Sequence, residues 1–417
     1  MSNALTSEPF TASVEPLDLV PRMKEQGYAP EHVARRREWV ERKTGATLRH
    51  VGACSIPCEE MRGNVENPVG AAQVPLGVAG PLVVRGLHAR GRFYVPLATT
   101  EGALVRSYER GMAAIARAGG ATARVYEDEN RVSPVFSFDD VDDAYDFVRG
   151  LQEEFERVRA EAEATTRHGR LLRLECQPVG RDCVVSFCYH TADAQGMNMI
   201  VQATEAACRG LLARSRAQRF HLFSGYSSEK RAASVLLAGG KGKRVVAGAL
   251  LPAGVVRNYL RTTPERMCDM WHKTVLGHVQ AGAVGYNAHY ANGLAALYIA
   301  CGQDVANVCN SSVGITNFEA TPAGGLHASV TLPSLTVATV GGGTQQGTAR
   351  ECLEMLGCAG AGRAAAFAEV VAATLLAGEL SMGAAIASGE FVQAHETYGR
   401  NRPKEVDSRQ QAPRGGG

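Results

Sequence analysis

The sequence predicts an α+β protein in three parts. The first observation behind this is a change of pattern along the chain. Residues 1–65 read as a helical segment, whereas 66–120 and 224–399 alternate Gly-punctuated apolar strands with long helices. The second is residues 121–223, which read as strand, helix, two strands, helix, strand. That βαββαβ succession is the ferredoxin-like pattern, whose start and end are close enough for insertion into a host domain. The third is size: 417 residues suffice for two or three domains, and 45% hydrophobic with 21% charged residues is ordinary for a globular enzyme. The expected architecture is therefore a helical N-terminal segment, a large mixed α/β domain, and a small ferredoxin-like domain inserted into it. A charged, then Gly-rich tail over 400–417 is expected to be disordered.

Composition also excludes some functions. A formal net charge of +2 gives no electrostatic case for nucleic acid, which needs a concentrated basic patch. Eleven cysteines are scattered without metal or disulfide spacing, so reduced thiols and no metal centre are expected. No uninterrupted run of about 18 apolar residues stands out as a membrane span, and MSNALTSEPF is not a signal peptide.

Taken in order, Pro30 to Lys43 is a charged amphipathic helix with Glu31 at its positive end, and Gly45 stops it. Val74 to Leu82, broken by Pro and Gly, belongs on short strands. Glu101 to Ala118 has helical spacing. A strand pair follows over Ala123 to Phe138, then an acidic helix over Asp140 to Ala164. Strands over Leu171 to Cys176 and Asp182 to Tyr189, a helix over Met197 to Arg214 and a strand over Phe220 to Phe223 complete the inserted unit. Beyond it come a strand (Arg244 to Leu251), helices Thr263 to Ala281 and Gly285 to Cys301, and a strand-like run, Thr331 to Gly343. Helices Arg350 to Leu356 and Arg363 to Ala387 close the order.

Five stretches carry chemistry. Gly282 to Asp304 passes His289 and Asn292, three apart, then an apolar helix, and ends in an acid that must find a partner. Thr99-Thr100-Glu101 places an acid directly before a helix whose Ser107 and Arg110 project from roughly one face, a pair suited to gripping a phosphate. Ser224 to Arg231 is a polar loop with two adjacent cations, Lys230 and Arg231; on composition alone Lys230 is a surface lysine. Asp193-Ala194-Gln195-Gly196-Met197-Asn198-Met199 leads into a helix whose first N–H groups can hold a phosphate. Gly341-Gly342-Gly343-Thr344 is a second glycine turn. There is no Gly-x-Gly-x-x-Gly fingerprint, so a Rossmann domain is not expected.

Taken together and in order from about Glu66 to His395, these stretches resemble the soluble catalytic portion of 3-hydroxy-3-methylglutaryl-CoA (HMG-CoA) reductase, in its class I-like form. The resemblance implies NADPH-dependent reduction of an acyl-CoA, HMG-CoA to mevalonate, with a different acyl thioester or a non-catalytic acyl-CoA-binding role as alternatives. It assigns the large domain to substrate and the inserted one to NADP(H). It implies a homodimer or dimer of dimers with the active site at the subunit interface. Eukaryotic members carry a membrane anchor not seen in this chain, so a cytoplasmic enzyme is expected.

Reducing a thioester twice requires a cation for the oxyanion and proton donors for oxygen and sulfur. The resemblance gives Lys230 the first task and Glu101, held beside Asp304, the second. His395 protonates the departing thiolate. Ser107, Arg110, Ser224, Arg231, Lys273, His289 and Asn292 fall at substrate contacts. Thr166 and Arg167 fall at the 2′-phosphate, and Asp193, Gln195, Gly196, Met197, Asn198, Gly341, Gly342, Gly343 and Thr344 fall at the rest of the cofactor. The acyl-recognition shell departs from the family pattern. The loop after Ser224 is one residue short, Arg231 replaces a lysine, Gly282 to Gly285 lacks a serine, and Arg131 stands one place early.

Overall fold

The structure is a computed structural model and describes residues 19–23 and 27–390. The chain forms two compact units that divide between Gln73 and Val74.

In the first unit, α1 (Pro30–Thr44) has Pro30 in its first turn, where the missing N–H is no loss, and Arg42 and Lys43 in its last. Gly45 ends it in the left-handed region at φ 71°, its N–H donating to the Glu41 carbonyl. A single turn, α2 (Arg49–Gly52), follows. Few apolar side chains are buried here, chiefly Val33 and Met61. Polar ties to the backbone supplement them: the buried Arg36 guanidinium donates to the carbonyls of Gly27 and Pro68, and the Gln73 amide to those of His50 and Ala53.

The second unit opens with an antiparallel pair, β1 (Leu76–Arg85) and β2 (Arg90–Ala98), then α3 (Leu104–Arg117). Residues 122–221 contribute β3 (Thr122–Val132), β4 (Val135–Ser137), α4 (Val141–Gly150), α5 (Phe155–Glu163), β5 (Arg170–Val179), β6 (Asp182–His190), α6 (Met197–Arg214) and β7 (Arg219–His221). The chain continues through β8 (Gly242–Leu251), α7 (Ala253–Leu260), α8 (Pro264–Gln280), α9 (Tyr290–Ala300), α10 (Val308–Ser311), β9 (Ile315–Ala320), β10 (Leu326–Leu335), α11 (Gly347–Met355) and α12 (Ala364–Ser388).

One sheet runs through both halves of this unit, in the order β7-β4-β6-β3-β8-β10-β9, with β5 also paired to β6. Within it, β7-β4-β6-β5 is the four-stranded antiparallel part belonging to the βαββαβ succession. A separate apolar core, from Val132 to Ala217 and including Phe136, Phe187 and Ile200, lies between these strands and their helices. The expected strand pair over Ala123 to Phe138 is two strands that do not pair with each other. They break at Ser133-Pro134, and each pairs with β6. The expected acidic helix over Asp140 to Ala164 is likewise two helices; Gly150, a poor helix residue, ends the first.

The larger core is organised around α12, almost all of which is buried. Length and composition would let this helix cross a membrane, but 83% of its most apolar stretch is inside the protein, as befits a core helix. The two acids that interrupt it are fully buried and fully used. Glu369 accepts the backbone N–H groups of Leu87, His88 and Ala89 at 2.7–3.0 Å, closing the β1–β2 turn. Glu379 belongs to the site described below. α3 crosses α12 with backbones nearly touching: a Cβ on Gly111 would lie 1.8 Å from the Ala377 carbonyl oxygen.

Candidate active site

The turn before α3 decides where Glu101 sits. Ala103 adopts a left-handed conformation at φ 69°, so the helix starts at Leu104 and Glu101 precedes it. Its backbone N–H donates to Thr99 Oγ1, and its two carboxylate oxygens accept the Asn292 amide at 3.2 and 3.0 Å. Asn292 lies in the first turn of α9. His289 caps that helix rather than lying within it, because Gly285, at φ 94°, and the residues after it are irregular.

Glu101, Asn292 and His289 line one cleft with Leu104, Ser107, Arg110 and Met382, a cavity of about 130 Å³. Ser107 Oγ donates to Ser381 Oγ at 3.0 Å. Arg110 Nε reaches the same oxygen at 3.0 Å, and its Nη2 reaches the Ser381 carbonyl at 2.5 Å. Burial holds the Arg110 guanidinium below its usual pKa, partly countered by Glu390 3.9 Å away.

Lys230 and Asp304 form a second cluster, with Lys230 Nζ 2.7 Å from Asp304 Oδ2. The hydrogen bond to Asp304 raises the Lys230 pKa against a smaller opposing effect of burial. Asp304 Oδ1 also accepts the Ala306 N–H at 3.2 Å, so the residue caps a short turn as well. Both side chains keep solvent access, 46% for Lys230 and 38% for Asp304. Asp304 is thus partnered by Lys230 and Glu101 by Asn292. The expected side-by-side pair of carboxylates has a separate partner for each member.

The Lys230 loop is pinned at several points. Ser224 Oγ donates to the Ser133 carbonyl at 2.7 Å, and Lys230 itself is left-handed at φ 56°. Glu229 pairs with Lys241, which is fully buried and whose Nζ is also within reach of the Arg131 carbonyl and Met197 Sδ. Gln195 Nε2 donates to the other Glu229 oxygen at 3.4 Å. The loop is therefore tied directly to the segment that opens α6. Arg231 is exposed, its N–H bound to the Ser228 carbonyl. Lys273 stands on the exposed face of α8, 3.8 Å from Asp269, and does not line the cleft. His395 lies outside the described residues, as does the 400–417 tail.

The cofactor candidates divide by what they already bind. Gly196, at φ 72°, starts α6, and a Cβ there would collide with Thr191 at 2.8 Å. The N–H groups of Met197, Asn198 and Met199 open an 18-residue helix with no acid in its first turn, an arrangement that suits a phosphate. Asp193 is not free for a ligand: its oxygens accept the N–H groups of Gly362 and Ala364 at 2.8 and 3.0 Å, capping α12. Thr166 Oγ1 accepts the N–H groups of His168 and Gly169, while Arg167 is exposed beside it. Gly341 and Gly342, at φ 81° and 54°, have open space where a side chain would point, which leaves backbone accessible to a dinucleotide. Thr344 Oγ1 donates to the Gly341 carbonyl, and Gly343 packs against Gly302, 2.7 Å from a would-be Cβ to the Gly302 oxygen. The glycine turn therefore rests on the segment that presents Asp304. These features fit a pyridine dinucleotide phosphate.

Two residues escaped the sequence reading. Gln303, beside Asp304, clamps Ala338 from both sides, donating to its carbonyl at 3.0 Å and accepting its N–H at 2.7 Å. Glu379 accepts the N–H of Ala288, the N–H and Nδ1 of His289, and the Thr316 hydroxyl, all within 2.7–2.9 Å. A lone acid amid the apolar residues of Thr374 to Ser388 was the available signal.

A family model described as hydroxymethylglutaryl-coenzyme A reductase matches residues 32–400. The 3-hydroxy-3-methylglutaryl-coenzyme A reductase of Methanothermobacter thermautotrophicus is 44% identical over 373 residues, covering 89% of this chain and 94% of its own. That of Methanocaldococcus jannaschii is 43% identical, covering 88% and 92%. Among solved structures, a class II 3-hydroxy-3-methylglutaryl-CoA reductase from Streptococcus pneumoniae bound to NADPH superimposes with a TM-score of 0.66. The match is at 18% identity and covers 88% of this chain and 100% of that one, a likeness of fold.

Proposed function

Because this chain belongs to the hydroxymethylglutaryl-coenzyme A reductase family, we propose that it reduces HMG-CoA to mevalonate and free CoA with NADPH, through a hemithioacetal and a bound aldehyde. The observation that carries the reading is the 2.7 Å contact of Lys230 with Asp304. A lysine held by a carboxylate yet still open to solvent keeps its charge and can turn to a carbonyl oxygen. There it stabilises negative charge as hydride arrives.

Glu101, steadied by Asn292, supplies the proton to that oxygen. His395 protonates the departing thiolate. Ser107 and Arg110 contact the acyl-CoA from α3, with His289 and Asn292 opposite them across the cleft. Ser224 and Arg231 complete the substrate set. NADPH, when bound, supplies hydride. The α6 start at Gly196, Met197 and Asn198, with Asp193 and Gln195 behind it, holds its phosphates, and Gly341 to Thr344 line its path. Thr166 and Arg167 face its 2′-phosphate, which places the cofactor on the inserted segment of residues 121–223. The separate apolar core of that segment supports treating it as a domain.

Three further points belong to this reading. The enzyme is class I-like, a reading supported by the succession of motifs from about Glu66 to His395. It acts as a homodimer or dimer of dimers with the site at the interface. The exposed apolar side chains Leu276 and Val279 on α8 and Ile315 on β9 support an association surface. It works in the cytoplasm. The test is nicotinamide absorbance with HMG-CoA and a panel of other acyl-CoAs: two NADPH consumed per CoA released, with HMG-CoA preferred, is expected. Well-folded protein that ignores HMG-CoA would overturn the assignment.

A further inference from the structure

Glu379 is a buried and fully hydrogen-bonded charge to which the proposed reaction gives no task. Glu379, on α12, is 1% exposed, and its oxygens take four hydrogen bonds. Two come from the N–H groups of Ala288 and His289, at the positive end of α9. The third is the Thr316 hydroxyl. The fourth is His289 Nδ1, 2.9 Å from Glu379 Oε1. Since an ionised carboxylate only accepts, the imidazole must carry its proton on Nδ1 to make this bond. The same ring stacks on Tyr108, with centroids 5.5 Å apart, and is itself 9% exposed. Small residues allow this packing: a Cβ on Gly378 would lie 2.7 Å from His289 Cε1 and 2.6 Å from Tyr108 Cζ.

Everything on the Glu379 side of His289 is therefore fixed, whereas His289 Nε2 is buried with no hydrogen-bond partner. His289 lines the cleft that also holds Glu101, Ser107 and Asn292. A buried acceptor without a donor is costly, and a ligand that brings the donor gains what the free protein lacks. We propose that Glu379 is a positioning residue that fixes His289 as its Nδ1–H tautomer, so that the bare Nε2 accepts the hydroxyl proton of the substrate's acyl group and selects for that hydroxyl. This rests on the functional reading above as far as the substrate is concerned; the tautomer does not.

The test has two arms. In ¹⁵N-histidine NMR of the full chain, with His289 assigned through its loss in His289→Phe, the wild type should show Nδ1 protonated and Nε2 bare. A protonated Nε2, whether in the neutral ring or in an imidazolium, would overturn the proposal whatever the kinetics. In steady-state assays the wild type should prefer HMG-CoA to 3-methylglutaryl-CoA, which lacks the hydroxyl, by about a hundredfold or more, because sites built around a substrate hydroxyl reject analogues strongly. Glu379→Gln should cut that preference about tenfold. His289→Phe, which keeps a ring against Tyr108, should cut it at least as much, and Glu379→Gln should add nothing to the loss in the His289→Phe background. A merely structural role would lower kcat/KM for both substrates alike and leave the ratio unchanged, which would overturn the proposal. No turnover of HMG-CoA by folded wild type would instead overturn the functional reading, and the NMR arm would still decide the tautomer.

Discussion

Lys230 Nζ sits 2.7 Å from Asp304 Oδ2, and Asp304 directly follows Gln303, whose amide clamps Ala338 on both sides. The lysine comes from a pinned loop and the aspartate from the turn after a buried helix. Their meeting is therefore a property of the tertiary fold. It gives the proposed oxyanion-stabilising cation a fixed resting place near the glycine turn that begins at Gly341.

Lys230→Ala should lower kcat by about 10²–10³-fold or more, the usual effect of removing one electrostatic contact to a developing oxyanion. Far-UV circular dichroism and the urea midpoint should stay close to wild type, since the pair is partly exposed and such pairs add little stability. Turnover near the wild-type rate would remove Lys230 from the mechanism.

Arg167→Ala should raise KM for NADPH at least tenfold and barely change that for NADH. Arg167 is exposed beside the turn that Thr166 closes, and only NADPH offers a phosphate for a guanidinium fork. Equal weakening with both cofactors would assign the arginine to the fold.

Much of this arrangement was legible in the chain because it depends on local pattern. The βαββαβ succession, the start of α6 at Met197, and Glu101 ahead of a helix all follow from spacing and glycine placement. What was hidden depends on contacts across long sequence separations. Asp193 looked like a ligand-binding acid in a glycine motif, yet it caps α12, about 170 residues away. Asp304 was expected beside Glu101, and its contact with Lys230 is one that spacing does not reveal. Glu379 stood out as a lone acid in an apolar helix, but its partners, the backbone start of α9 and the histidine that caps it, lie about 90 residues away in sequence.

Acid should erode the contribution of Glu379. Burial pushes its pKa up, but the bonds from His289, the Ala288 N–H and Thr316 outweigh burial and leave it below the ordinary 4.5. A folded-state pKa below the unfolded one means a stabilising contribution that is complete above about 4.5 and fades as pH falls through the lower folded value. Urea midpoints measured from pH 7 downward should therefore show wild type and Glu379→Gln converging only in that acid range. A gap that is independent of pH would mean that shape, and not charge, is what the glutamate contributes.

Glycine-to-alanine substitution should have opposite effects at two places in the fold. Gly111 lies where α3 crosses α12, and an added Cβ would fall 1.8 Å from the Ala377 carbonyl oxygen. That oxygen belongs to a buried helix backbone, so it can yield only if the two helices part. Overpacking of this kind costs about 1–3 kcal/mol. The parting would also move Ser107 and Arg110 on α3 away from Ser381 on α12, to which both are bonded at 3.0 Å. Gly111→Ala should thus lower the urea midpoint and raise KM for HMG-CoA. Gly277, on the exposed face of α8, has open space where its Cβ would go and ordinary helical backbone. There alanine should stabilise by about 0.5–1 kcal/mol through helix propensity and a less flexible unfolded chain. Opposite shifts in the two urea midpoints, with KM raised only in Gly111→Ala, are expected. If Gly111→Ala is as stable as wild type and binds substrate normally, the close crossing does not set the cleft.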